Sequence, residues 1–210
     1  MKDVAIIDYG MGNINSIKNM LRYLGYGSKY TCDRKDILNA NYLILPGVGN
    51  YKSAMDRIKK LDLDRTIEDA AVFRKIPLLG ICLGMQLLLE YSEEGDCNGL
   101  GLIKGKVKRF RFNNDELKVP HMGWDYIFIE NDCSLTFDLP ENPRFYFVHS
   151  YFVNCSDRFN VVATTDYGKK FDSIIRSGNI YGTQFHPEKS HKFGIKIFEN
   201  FLNLVTEKEQ

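Results

Sequence analysis

Apolar positions fall in short unbroken runs over the first half of the chain and in looser alternation over the second. Residues 4–7 form a β-branched apolar run, followed by Gly10-Met11-Gly12-Asn13. Over residues 14–24 the apolar positions are Ile14, Ile17, Leu21 and Leu24, a spacing that predicts an amphipathic helix closed by Gly25. Residues 42–45 predict a second buried strand, ended by Pro46-Gly47-Val48-Gly49. A helical region is expected over 51–73, a third strand over 77–81 and a helix over 83–91. Unbroken apolar strands alternating with helices imply a parallel sheet covered on both faces.

The second half reads differently. Residues 107–112, 126–129, 145–153 and 161–165 predict successive strands, with Gly, Asn, Asp and Pro between them. Residues 180–185 predict a last strand and 193–205 a closing amphipathic helix. No repeat or flexible linker divides the chain. The expectation is a single domain over residues 1–210 of α/β class. It should hold a mainly parallel open sheet flanked by helices, with additional antiparallel strands.

Composition changes this picture little but excludes several function classes. With 28 Lys+Arg against 27 Asp+Glu, no overall field favours nucleic acid or an anionic membrane. No apolar stretch approaches the roughly 18 residues of a membrane helix. The N-terminal apolar run is broken by Asp8 and does not read as a signal peptide. The five cysteines are odd in number and irregularly spaced, with no Cys-x-x-Cys pair. A reduced cytoplasmic protein needing no metal or cofactor is the simplest account.

The chemistry concentrates in Leu78-Leu79-Gly80-Ile81-Cys82-Leu83-Gly84-Met85-Gln86. A buried strand runs into Gly-x-Cys-x-Gly and a helix follows at once, which is a nucleophile-elbow pattern with Cys at its apex. The flanking glycines remove side chains that would clash in a strained turn. The helix start favours thiolate, and the Leu83 N–H is placed to bind an oxyanion. A buried structural cysteine is the competing reading, and it serves better for Cys32, Cys97, Cys133 and Cys155.

A thiol nucleophile needs a base, and the base needs an orienting group. Gln184-Phe185-His186-Pro187-Glu188-Lys189-Ser190 supplies both. In an extended segment residues i and i+2 point the same way, so Glu188 can reach one nitrogen of His186. A surface His beside a surface Glu is the alternative. Position argues against it: Cys82, His186 and the loops 46–49 and 10–13 each follow a candidate strand directly. In a parallel sheet all four share one edge, where ligands bind.

These segments, with Ile7-Asp8-Tyr9-Gly10-Met11-Gly12-Asn13, Val119-Pro120-His121-Met122-Gly123-Trp124 and Phe147-Val148-His149-Ser150-Tyr151, resemble class I (triad) glutamine amidotransferases. Within that family the chain is similar to glutaminase subunits of imidazole glycerol phosphate synthase. The resemblance implies Cys82 as nucleophile, His186 as base and then acid, and Glu188 as orienter. It implies an oxyanion held by the N–H groups of Leu83 and Val48, the latter on a segment whose glycines let a peptide rotate. It implies contacts to the substrate L-glutamine from Gln86, Glu94, Ser150 and Tyr151. Asn13, Asn15, Trp124, Tyr146 and Lys189 match positions near a partner interface or ammonia path. A heterodimer with a (β/α)8 cyclase is expected, in histidine biosynthesis.

Asp125, Asn50-Tyr51-Lys52 and Ser190-His191-Lys192 depart from that pattern. They look more like a paralogous branch that supplies ammonia to an amidotransferase modifying surface-polysaccharide sugars. A dinucleotide site is disfavoured because Gly10-x-Gly12 lacks the fingerprint's third glycine. A thiol hydrolase without a partner would use the same triad, and a zinc site from Cys82, His186, Glu188 and His191 lacks ligand spacing.

Overall fold

The structure, a computed structural model, describes residues 3–112 and 117–204. The N-terminal half builds β1 (Asp3–Ile7), α1 (Ile14–Tyr23), β2 (Gly27–Thr31), α2 (Arg34–Asn39), β3 (Tyr42–Leu45), α3 (Tyr51–Lys60), α4 (Leu63–Glu68) and β4 (Leu78–Ile81). Then come α5 (Leu83–Leu87), β5 (Leu89–Ser92), β6 (Cys97–Asn98), β7 (Ile103–Arg109), β8 (His121–Tyr126), β9 (Phe128–Ile129), β10 (Arg144–His149) and β11 (Tyr151–Cys155). The chain ends with β12 (Val161–Asp166), β13 (Lys170–Ser177), β14 (Ile180–Thr183) and α6 (His191–Leu202).

One large sheet runs in the order β2-β1-β3-β4-β14-β13-β11-β7-β5-β6, with β12 on β13 and β9 on β12. It is parallel from β2 to β14 and antiparallel onward through β13 and β11 to β7. β8 and β10 form a separate antiparallel pair.

The central strands are apolar on both sides because each side meets helices. Ala5, Ile7, Leu43, Leu45 and Leu78 pack into one layer with residues of α2, α3, α4 and α5. Val4, Ile6, Ile44, Leu79 and Ile81 alternate into the other, against Ile17 and Leu21 of α1 and Phe198 and Phe201 of α6. Each fully buried Leu, Ile or Phe contributes about 1.5–3 kcal/mol, so this two-faced burial holds β1, β3, β4 and β14 rigidly in register. The strand edge carrying the site inherits that rigidity.

Several elements differ from the sequence expectation. The helix expected over 83–91 stops at Leu87, and Leu89–Ser92 is a strand. The carbonyls of Leu87, Leu88, Leu89 and Glu90 accept N–H groups from residues 99–103, so a helix cannot use them. The region 51–73 divides into α3, α4 and a π-type segment, Asp69–Phe73. The strand expected over 145–153 breaks at Ser150, its halves joining different sheets. The strand expected over 126–129 is the end of β8 plus β9. The closing helix begins at His191, and Val205, its expected end, lies outside the described residues.

Candidate active site

Cys82 stands between β4 and α5 with φ 54° and ψ −107°. A residue with a Cβ rarely adopts this conformation, at a cost on the order of 1–3 kcal/mol, and here the surroundings enforce it. Its N–H donates to the Thr183 carbonyl at 2.7 Å, and its carbonyl accepts from Gln86 N–H at 3.2 Å. Gly84 has no alternative: a Cβ there would lie 1.8 Å from the Leu45 carbonyl oxygen. That approach presses the 45–49 loop against the elbow, and the Tyr9 hydroxyl fixes it further by donating to the Pro46 carbonyl at 2.5 Å.

β14 places the second component beside the first. Parallel pairing of β14 with β4 brings Thr183 level with Ile81, so the residues after both strands emerge together. His186 and Glu188 are almost wholly buried, with Nδ1 of His186 2.7 Å from Oε1 of Glu188. Where the sequence leads one to expect an extended segment, Pro187–Lys189 is a short 3-10 turn that carries the Glu188 carboxylate back to the ring.

Nε2 of His186 is buried and forms no hydrogen bond of good geometry. The Cys82 sulfur is nonetheless near enough to act on it. Burial pulls the imidazole down, but the Cys82 sulfur and the hydrogen-bonded Glu188 carboxylate outweigh that and hold its pKa above the ordinary value. The geometry therefore allows a proton to move from sulfur to Nε2 while Glu188 stabilises the resulting cation.

A cavity of about 330 Å³ opens over Cys82 and His186, with Val48, Leu83, Gln86, Glu94, Ser150 and Tyr151 in its wall. It therefore gathers every residue expected to contact substrate. The Gln86 amide donates to the Tyr151 carbonyl at 2.9 Å and to Gln184 Oε1 at 3.1 Å. Glu94 accepts from the Asn50 side-chain amide at 3.1 Å and from the Tyr51 N–H at 3.0 Å, so its carboxylate is anchored at the start of α3. A larger hollow of about 1460 Å³, lined by Pro77 and Asn179, lies at the opposite ends of β4 and β14, away from Cys82. Among the described residues no cluster of three or more His, Cys, Asp or Glu could hold a metal ion.

Beside the cavity, the outer side of β8 and β10 leaves apolar surface exposed at Met122, Trp124 and Tyr126. Trp124 packs near Tyr146 and stacks on His191, and the Lys189 ammonium lies over the Tyr146 ring. Trp124, Tyr146 and Lys189 thus form one patch. The Asn13 amide donates to Ser16 Oγ at 2.9 Å, and α1, which carries Asn15, packs beside the Pro187–Lys189 turn.

Sequence reasoning did not single out Gln184, His121 or His149. Gln184 Nε2 lies 3.9 Å from the Cys82 sulfur, and His149 lines the cavity. Their signal was a polar residue embedded in an apolar run, which becomes informative only once burial is known.

The sequence model of the family "Glutamine amidotransferase class-I" matches residues 5–204. "Imidazole glycerol phosphate synthase subunit HisH 2" of Methanococcus maripaludis is 51% identical over 199 residues, covering 95% of this chain and 98% of its own. "Imidazole glycerol phosphate synthase subunit HisH" of Leptospira interrogans is 41% identical over 203 residues, covering 96% and 100%. The protein of that name from Bacillus thuringiensis (strain Al Hakam) is 44% identical, covering 96% and 95%. Among solved structures, a putative GMP synthase protein from Thermoplasma acidophilum superposes with TM-score 0.72 at 23% identity, covering 96% of this chain and 92% of that one. Thermotoga maritima PurLQS superposes with TM-score 0.69 at 23% identity, covering 97% and 99%. These two speak to the fold alone. No helix among the described residues is long and apolar enough to cross a membrane.

Proposed function

We propose that this chain, which belongs to the glutamine amidotransferase class-I family, is the glutaminase subunit of an imidazole glycerol phosphate synthase. In this reading Cys82, His186 and Glu188 hydrolyse L-glutamine, and the ammonia passes to a (β/α)8 cyclase partner in a heterodimer. The observation that carries it is the unpartnered Nε2 of buried His186 facing a strained Cys82, with Nδ1 held by Glu188.

The Cys82 sulfur attacks the side-chain amide carbon after its proton has passed to His186. The imidazolium then protonates the departing nitrogen, which leaves as ammonia, and a thioester remains. Water attacks the thioester while His186 takes its proton, and the proton returns to sulfur as glutamate leaves. In both steps negative charge develops on the carbonyl oxygen, where N–H groups of Leu83 and Val48 would receive it.

Other residues hold the substrate. Glu94 suits its α-ammonium, Gln86 shapes the pocket, and backbone groups at Ser150 and Tyr151 suit its carboxylate end. Asn13, Asn15, Trp124, Tyr146 and Lys189 would meet the synthase, a role favoured by the exposed aromatic patch beside the cavity. The relatives of that name favour this synthase over a sugar-modifying amidotransferase. We place the reaction in one glutamine amidotransferase type 1 domain over residues 1–210, in the cytoplasm, consistent with five free cysteines.

The test is ammonia release from glutamine by the full chain, alone and with a (β/α)8 cyclase and its acceptor. Stimulation by the cyclase is expected. Hydrolysis that ignores the cyclase would overturn the coupling, and no hydrolysis under any condition would overturn the reaction.

A further inference from the structure

The reaction just described leaves one buried polar side chain beside the nucleophile without a part. Gln184 follows β14 directly and is wholly buried. Its backbone N–H donates to the Ser173 carbonyl at 2.9 Å, and the carbonyl of the preceding Thr183 accepts from the Cys82 N–H at 2.7 Å. Both backbones are thus tied to the same end of the sheet. From there the Gln184 side chain reaches the Cys82 sulfur, with Nε2 at 3.9 Å. Among the described residues that sulfur is the one acceptor this nitrogen meets. An amide enclosed so completely is costly unless its hydrogens are answered.

An amide can be turned over, so the end that faces the sulfur has to follow from its other neighbours. The Tyr151 carbonyl can only accept, so the Gln86 group 2.9 Å from it is the NH2. The same NH2 lies 3.1 Å from one end of the Gln184 amide, which must then be the oxygen. The NH2 of Gln184 is left facing the sulfur. A second neighbour of the sulfur is the Val148 carbonyl, also at 3.9 Å, which can accept its S–H. A thiol is a weak acceptor, and the contact from Gln184 is correspondingly long. Once the proton has gone to His186, the sulfur is an anion between a carbonyl that repels it and an NH2 that attracts it.

We propose that Gln184 is a further catalytic residue: its NH2 holds the Cys82 sulfur as thiolate, and Gln86 keeps that NH2 turned toward it. The role in hydrolysis rests on the glutaminase reading; the effect on the sulfur does not. No bond of Gln184 breaks. The thiol proton goes to Nε2 of His186, and the amide only donates a hydrogen bond that tightens as charge appears on sulfur. A donor to a charged acceptor is worth more than one to a neutral acceptor, the more so away from water. The titratable groups around the sulfur are His186 with Glu188 behind it, Glu94 and His149 in the cavity wall, and Tyr9 on the Pro46 carbonyl. Replacing Gln184 alters none of them, so a change in the ionisation of Cys82 then reads the amide.

Gln184→Met keeps the length of the side chain and removes the donor. Alkylation of the full chain by iodoacetamide over about pH 5 to 10, read by peptide mass spectrometry, follows the Cys82 thiolate apart from the other four cysteines. In the variant the Cys82 midpoint is expected to rise by about one pH unit. Packing alone would change the rate and leave the midpoint in place, and an unmoved midpoint would overturn the proposal. In the same variant kcat for glutamine at pH 7 should fall about tenfold. A raised midpoint with wild-type kcat would remove Gln184 from catalysis. The wild type supplies a second reading that survives a variant too unstable to fold. The chain has three glutamines, and in proton–nitrogen NMR the Gln184 NH2 signals should move with the midpoint of Cys82 alkylation and stay still in Cys82→Ala. Signals fixed in the wild type, or moving alike in both proteins, would overturn the contact. Wild-type protein that alkylates as expected yet releases no ammonia would sink the glutaminase reading and leave the thiolate contact standing.

Discussion

Nδ1 of His186 and Oε1 of Glu188 are 2.7 Å apart, in side chains that are 2% and 1% exposed. Such a buried pair is stable only because each partner removes the other's desolvation cost, and this bond leaves Nε2 as the one ring atom free to meet the Cys82 sulfur. Orientation of the base and stabilisation of its cation thus come from a single bond.

Glu188→Gln keeps the shape and removes the charge. The cation on His186 then loses a partner that raises its pKa. kcat for glutamine hydrolysis is expected to fall by about 10²- to 10⁴-fold, with KM nearly unchanged. Steady-state kinetics on the purified complex checks this. A kcat within threefold of wild type would show that Glu188 is structural only.

Cys82→Ala and Cys82→Gly should both abolish hydrolysis but differ in stability. Alanine retains the Cβ at φ 54° and with it the strain. Glycine releases roughly 1–3 kcal/mol of strain and loses about 0.5–1 kcal/mol to greater unfolded-chain entropy. The glycine variant is therefore expected to melt above the alanine variant in calorimetry. The reverse order would mean that the elbow is not strained.

Asn50 bears on both folding and substrate. Its Oδ1 accepts from the Ser53 N–H at 3.0 Å, capping α3, while its Nδ2 donates to Glu94. Asn50→Ala removes both bonds, at about 1 kcal/mol for the cap, and should raise KM for glutamine. Asn50→Asp preserves the cap but sets a second carboxylate against Glu94. It should keep the cap's share of stability, losing only the bond to Glu94, and still raise KM several-fold. Equal KM in wild type and Asn50→Asp would separate Glu94 from glutamine binding.

These residues also show what the chain discloses before folding. The parallel core was legible because 4–7, 42–45 and 77–81 are buried on both faces and so lack polar interruptions. Cys82 and His186 were legible as residues directly following such strands. β2 was missed because it is an edge strand with Thr31 as its one buried residue, and β13 because buried Asp172 and Ser173 break its apolar run. Residues 87–91 fit either period, and the choice was made by N–H donors from residues 99–103. The Asn50–Glu94 bond spans 44 residues, and local spacing carries no trace of it.

Acid should destabilise the protein through the histidine pair before most carboxylates titrate. Unfolded, His121 and His149 each take a proton near pH 6.5. Folded, burial lowers their values to about 4 and about 3, so both rings stay neutral over most of that window. The folded values lie below the unfolded ones, so this stability is complete above about pH 6.5 and is lost as pH falls toward 4. His186, whose pKa is raised, contributes with the opposite sign near pH 6.5 and above, where the unfolded chain still takes up its proton, and this contribution fades below about pH 5.5. Asp36 and Glu130, which are lowered by their lysine partners, act only below it. With nearly two protons more bound by the unfolded chain, stability should fall by about 2 kcal/mol per pH unit between pH 6 and pH 5. Urea unfolding at pH 6, 5.5 and 5 measures the slope, and a flat profile there would show that His121 and His149 are not held neutral in the folded protein.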